Sequence, residues 1–121
     1  MFQIVFNSIS AAELSKLDTL TQLELLDKFK VDADILADDS DDRFGTIARD
    51  GKTLQRFRCG DHRVYFEVES ERVVVHRVLS KNTFGDFLFR SNLPMTNEDD
   101  ELAGSKQFWS LIDEGRAAKL A

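Results

Sequence analysis

The chain reads as an α+β domain: an antiparallel sheet of four to five strands with an N-terminal helical hairpin on one face, a short helix after the last strand and an added C-terminal helix. Three observations predict this. From residue 44 to residue 80 apolar and polar side chains alternate with period two, interrupted at regular intervals by turn residues. Residues 10–29 instead space their leucines three and four apart, as a helix does. A length of 121 residues with 42% hydrophobic side chains fills one domain and is too short for two full cores. Residues 1–94 form the main unit, and 95–121 an acidic helical extension.

Taken in order, Phe2 to Phe6 is a short strand closed by Asn7 and Ser8, free to join the sheet at its edge or its centre. Ser10 and Glu13 have capping-box spacing for a first helix that carries Leu14 and Leu17. Thr19 or Thr21 caps a second helix, with Leu23, Leu26 and Phe29 at helical spacing. The Asp-rich stretch 32–42 repels itself and suits a solvated loop. Asp50-Gly51 is the strongest hairpin signal, because both central positions of a type I′ turn need positive φ. Gly60-Asp61 and Ser70-Glu71 mark two further turns, so four strands follow one another as a meander. In the last of them Val73-Val74-Val75 suits burial on both faces. Thr83 caps a short helix bearing Phe84, Phe87 and Leu88, and Pro94 ends that region. A last helix begins near Thr96 or Asn97, with acids 98–101 in its first turn. Its apolar side is Phe108, Leu111 and Ile112, packed on the domain or on a second copy of the chain.

Composition excludes several classes. A single cysteine, Cys59, rules out an internal disulfide framework and a cysteine-rich zinc site. Two histidines without a close cysteine or carboxylate at ligand spacing give no metal centre, and no phosphate loop or nucleophile elbow implies a cofactor. No apolar run is long enough to cross a bilayer, and the start Met1-Phe2-Gln3 lacks the pattern of a secretion signal. A cytoplasmic protein without a membrane partner is the expectation. The formal net charge of −6 argues against a polyanion as partner. Its distribution argues the other way: residues 1–42 carry −7, residues 43–90 carry +4 and residues 91–121 carry −3.

The basic middle has a pattern. Arg56 and Arg58 are two apart on a strand, so both point to one face about 7 Å apart. The next strand offers Arg63 and Tyr65 on its polar face. Three guanidiniums on one surface suit phosphate oxygens, which they contact in pairs. The plainer alternative is a solvated face whose arginines pair with Glu67 and Glu69.

The order strand, two helices and meander, with LQRFRCGDHRVYFEV followed by RVVVHRVLSKN, resembles the RelE/ParE toxin superfamily of bacterial toxin–antitoxin pairs. The resemblance covers about residues 2–94 and rests on Arg56-Phe57-Arg58, Gly60-Asp61 and His62-Arg63-Val64-Tyr65. It implies the toxin half of a type II pair, with a cognate antitoxin as protein partner and ribosome-bound mRNA as the target of an endoribonuclease that represses translation. By this resemblance Arg63 holds the phosphate, Arg56 and Arg58 assist, and Lys81, Arg90, Phe89 and Tyr65 contact RNA. Members that cut RNA carry an Arg and a Tyr after the last strand, where this chain reads Thr83-Phe84-Gly85-Asp86-Phe87-Leu88-Phe89-Arg90. A phenyl ring stacks on a base but moves no proton. His62 and His76 are the substitutes at hand, since imidazole titrates near neutral pH. The absent Tyr equally fits ParE-like members, which poison DNA gyrase without cutting, or an inactive RelE-fold binding domain. The acidic run 98–101 is a candidate cover for the arginine face.

Overall fold

The computed structural model describes residues 2–31, 34, 43–80 and 102–120. Their order is β1 (Gln3–Phe6), α1 (Ser8–Ser15), α2 (Thr19–Lys28), β2 (Phe44–Arg49), β3 (Lys52–Cys59), β4 (His62–Glu69), β5 (Arg72–Ser80) and α3 (Lys106–Ala117). The expected short helix over residues 83–93, the acidic run 98–101 and most of the Asp-rich stretch 32–42 lie outside the described residues.

The strands form one sheet in the order β1-β5-β4-β3-β2. The meander is antiparallel throughout, as the turn signals require. Its first turn has Asp50 at φ 50° and Gly51 at φ 80°, and Ser70 and Glu71 at the last turn also take positive φ. The sheet is nevertheless mixed rather than antiparallel, because β1 runs parallel to β5, with Ile4 beside Val73 and Phe6 beside Val75. Parity explains the difference. The two-helix excursion brings the chain back to the end of the sheet where β1 finishes, so β2 runs opposite to β1. Three hairpins then reverse the direction three times and leave β5 aligned with β1.

Both helix starts differ in detail from the sequence reading. Asn7 caps α1, its side chain accepting from the Ser10 amide at 2.7 Å while Ser10 Oγ accepts from the Asn7 amide at 3.0 Å. Ser10 is therefore the third helical position of the box rather than its cap. Asp18 caps α2 through the Thr21 amide at 2.7 Å, and that bond holds its carboxyl below the ordinary value. The buried stripe of α2 is also displaced. Leu25 and Phe29 are in the core, whereas Leu23 and Leu26 are 59% and 40% exposed.

Two cores result, one on each face. On the first, Leu25, Phe29 and Val31 cover Phe57, Val64, Phe66, Val73 and Val75, with Phe29 ringed by Phe57 and Phe66 at 5.1 and 5.2 Å. On the second, Leu102, Phe108, Trp109 and Ile112 cover Ile47, Leu54, Tyr65 and Leu79. The last helix thus packs on its own domain. Ser105 caps it through the Phe108 amide at 3.2 Å, after a turn in which Leu102 and Ala103 are also helical, and the start expected near Thr96 or Asn97 lies outside the described residues. Trp109 joins the buried side and donates from Nε1 to the Ala103 carbonyl at 2.9 Å.

The helix α3 meets β5 at Gly115, where the backbones come too close for a side chain. A Cβ there would stand 2.4 Å from the His76 carbonyl oxygen. Gly115→Ala is expected to destabilise the protein by about 1–3 kcal/mol, the usual cost of overpacking, although alanine gains up to about 1 kcal/mol as a helix former. Denaturant unfolding checks it: the midpoint should fall at constant slope.

Candidate nucleic-acid interface

Alternation along β3 and the register with β4 bring the three expected arginines together. Arg58 pairs directly with Arg63, and Arg56 with Tyr65, so all four side chains leave the same face of the sheet. This is the face that carries the second core. Like charges directly opposite one another across an antiparallel pair cost free energy. Arg63 bends back to its own hairpin and donates from Nη1 to the Gly60 and His62 carbonyls at 2.7 and 3.0 Å. Arg56 donates to the Arg43 carbonyl at 3.1 Å, an acceptor it shares with the Arg58 amide.

Burial separates the three. Arg56 and Arg63 are 5% and 2% exposed, and Arg58 is half-buried. The first two are thus built into the β3–β4 hairpin, and Arg58 is the least buried of the three. Tyr65, expected to contact RNA, is fully buried. Its ring stands edge-on to Phe108 at 5.0 Å, beneath α3. In this arrangement it belongs to the core and not to an open surface. The physical reason is that α3 needs an aromatic floor, and Tyr65 occupies the centre of that face.

Neither histidine joins the arginines. His62 pairs with Cys59 and Ser80 and points to the opposite face, the side of Asp18 and the helical hairpin. His76 is on β5 beside Glu67, its Nε2 3.6 Å from that carboxylate. From Arg63 to Glu67 is four residues of β4, about 13 Å along the strand. The fold therefore brings neither imidazole ring to the arginine cluster. Lys81, Phe89 and Arg90 lie outside the described residues. Among the described residues no group of three metal-binding side chains gathers, and no helix is long and apolar enough to cross a membrane. The Cys59 thiol is pushed up by burial, which suits a packed side chain rather than a nucleophile.

Sequence reasoning missed the polar cluster that ties the helices to β5. Glu13 of α1 grips Arg77 in bidentate fashion, with Nη2 to Oε2 at 2.7 Å and Nε to Oε1 at 3.0 Å, and Glu13 Oε1 also accepts from the Val78 amide at 3.0 Å. Arg77 Nη1 reaches the Leu111 carbonyl at 3.1 Å and Glu114 at 3.3 Å. The partners are 64 and 37 residues away, so no local pattern announces them. Beyond them Arg116 is paired with Glu67.

His76 has a pH consequence. Burial disfavours its charged form and lowers its pKa from the ordinary 6.5, with Glu67 opposing part of that effect. The unfolded chain then takes up this proton more readily than the folded one. Its contribution is fully present above pH 6.5 and declines as pH falls towards the folded value. Unfolding at pH 7.5 and pH 5 should show a loss of stability on acidification that is reduced in His76→Gln.

No family model and no curated protein sequence matches the chain.

Proposed function

We propose that the chain is the toxin half of a type II toxin–antitoxin pair, a RelE-like repressor of translation that grips ribosome-bound mRNA through Arg58, backed by Arg56 and Arg63, and cuts it. The observation that carries this reading is the β3–β4 register, which sets Arg58 against Arg63 with Arg56 on the same face. Guanidiniums that leave one face of a sheet suit phosphate oxygens, which their forks contact in pairs. A second support is the element order, one strand, two helices and a four-stranded meander, on which the resemblance to these toxins rests. A cognate antitoxin would be the protein partner, neutralising the +4 of residues 43–90.

A specific observation favours a second reading, in which the protein binds without cutting, as ParE-like gyrase inhibitors and inactive RelE-fold domains do. RNA cleavage at a 2′-hydroxyl needs a group that accepts a proton and one that returns it. Arginine, charged at any working pH, does neither; His62 points to the opposite face, and His76 stands beside Glu67, about 13 Å along β4 from Arg63.

Cell-free translation separates the two. Added to ribosomes, the protein should give truncated mRNA by primer extension, and none without ribosomes. Intact message together with trapped gyrase–DNA complexes would install the second reading instead. Arg58→Ala should weaken the effect about tenfold, as expected for losing one charge-assisted contact. Arg58→Lys should fall between, keeping the charge but losing the fork. Arg58 is the residue to change, because replacing Arg63 removes bonds that close the β3–β4 hairpin. Full activity in Arg58→Ala removes the grip from this face.

A further inference from the structure

The last turn of α3 and the residues after it rest on the sheet through a small set of polar ties. Arg116 pairs with Glu67 of β4. The Ser8 amide donates to the Lys119 carbonyl at 2.8 Å, and Asn7 forms a bridge with Leu120. Beneath Arg116 sits His76, the extra residue of β5 at the point where its register with β4 slips. The His76 side chain is 6% exposed, and neither ring nitrogen has a hydrogen-bond partner. Its Nε2 stands 3.6 Å from Glu67 Oε1, just beyond hydrogen-bond reach, and this is the same oxygen that Arg116 holds.

The surroundings limit what this cluster can do. It borders a cavity of about 310 Å³ whose far wall is Ala118 and Leu120. The imidazole nitrogens themselves are inaccessible, so no substrate touches them. A proton is the one reactant that reaches them through small fluctuations. The charged groups facing the ring are Glu67 and Glu69 on β4, Arg72 on β5 and Arg116 on α3. Glu69 has Arg72 at 3.9 Å, which leaves Glu67 as the carboxylate at hand. From the β1–α1 side Asn7 approaches with an uncharged amide, which donates to the His76 carbonyl at 3.1 Å.

We propose that His76 is a proton-operated latch: on gaining a proton the buried imidazole takes the Glu67 oxygen that Arg116 holds, and residues 116–120 come away from the sheet. The competition is decided by what each cation loses. An imidazolium enclosed by β4, β5 and α3 has no water to turn to, so an unpaired charge there is costly. Arg116 is 31% exposed and long, and it regains hydration by swinging outward. One carboxylate oxygen does not hold both cations at close range without repulsion between them. The bond to Lys119 and the bridge to Leu120, both next to the released Arg116, then open with it.

Amide hydrogen exchange on the full chain tests this, with the Ser8 amide reporting the contact to Lys119 and the Phe66 amide reporting global opening. After correction for intrinsic exchange, Ser8 protection should fall between pH 7 and pH 5 in step with the His76 ring titration followed by NMR, while Phe66 stays protected. Arg116→Gln, a change at a partly exposed site, should raise Ser8 exchange about fivefold at pH 7, the upper size for losing such a pair. His76→Gln should remove the pH dependence. The latch is overturned by Ser8 protection that is constant through the His76 titration, by loss at Ser8 and Phe66 together, or by an Arg116→Gln variant that exchanges like the parent at pH 7.

Discussion

The side-chain amide of Asn7 sits where three elements end or bend, and their backbones have no other common partner. Its Nδ2 lies 3.2 Å from the Val75 carbonyl, 3.1 Å from that of His76 and 2.8 Å from that of Gly115. Strand β1 stops at Phe6, one residue before this point, and leaves the edge of β5 without a strand partner beyond Val75. A bare edge carries unmet hydrogen-bonding groups. Helix α1 closes it with side chains: Ser10 Oγ donates to the Val75 carbonyl at 3.0 Å, and Glu13 accepts from the Val78 amide. The mixed sheet, the bulge at His76 and the seat of α3 all depend on this corner. Because Asn7 is 1% exposed, water offers no substitute for the bonds it makes.

From that corner α3 runs across the second face, and its cost decides what kind of element it is. Leu102, Phe108, Trp109 and Ile112 are all nearly or fully buried there. At about 1.5–3 kcal/mol for each such side chain, their burial is worth about 6–12 kcal/mol, as large as the whole stability of an ordinary domain. The C-terminal helix is therefore a structural member of the fold. At the β3–β4 hairpin end of that face Arg58 is half-buried and Arg63 turns towards Gly60. Release at Arg116 concerns only the turn beyond this apolar contact, which is why the two scales do not conflict.

The parts of the fold legible in the sequence were those fixed by short-range rules. Alternation placed β2 to β5, paired turn residues placed the hairpins, and strand geometry put Arg56, Arg58 and Arg63 on one face. What stayed illegible depends on distance in the chain. Nothing near Asn7 announces that its amide serves Gly115, 108 residues away. Glu13 looked like half of a capping box, because a local bond and a long-range one to Arg77 use the same carboxylate. The leucines of α2 all sit at helical spacings, so periodicity alone does not tell the buried Leu25 from the exposed Leu23. Tyr65 looked like a surface residue because its neighbours on that face, Arg63 and Glu67, are charged. The apolar floor it completes is made by Leu54 and Leu79 on the adjacent strands and by α3.

The same geometry sets the terms on which grip and cleavage divide. Stabilising a phosphorane asks for fixed positive charge near the phosphate, and in the proposed reading the β3–β4 arginines would supply it in a form that no pH near neutrality removes. Moving the proton asks for a group that changes charge in that range. The two histidines among the described residues are held elsewhere, His62 on the helical-hairpin face and His76 at the far end of β4 against Glu67. Under the proposed reading, the sheet holds the arginines that would grip a phosphate apart from both histidines. Electrostatic grip alone gives a protein that holds a polyanion and blocks what should act on it. Cutting requires that the second half come from the rest of the chain or from the machinery to which the polyanion is bound.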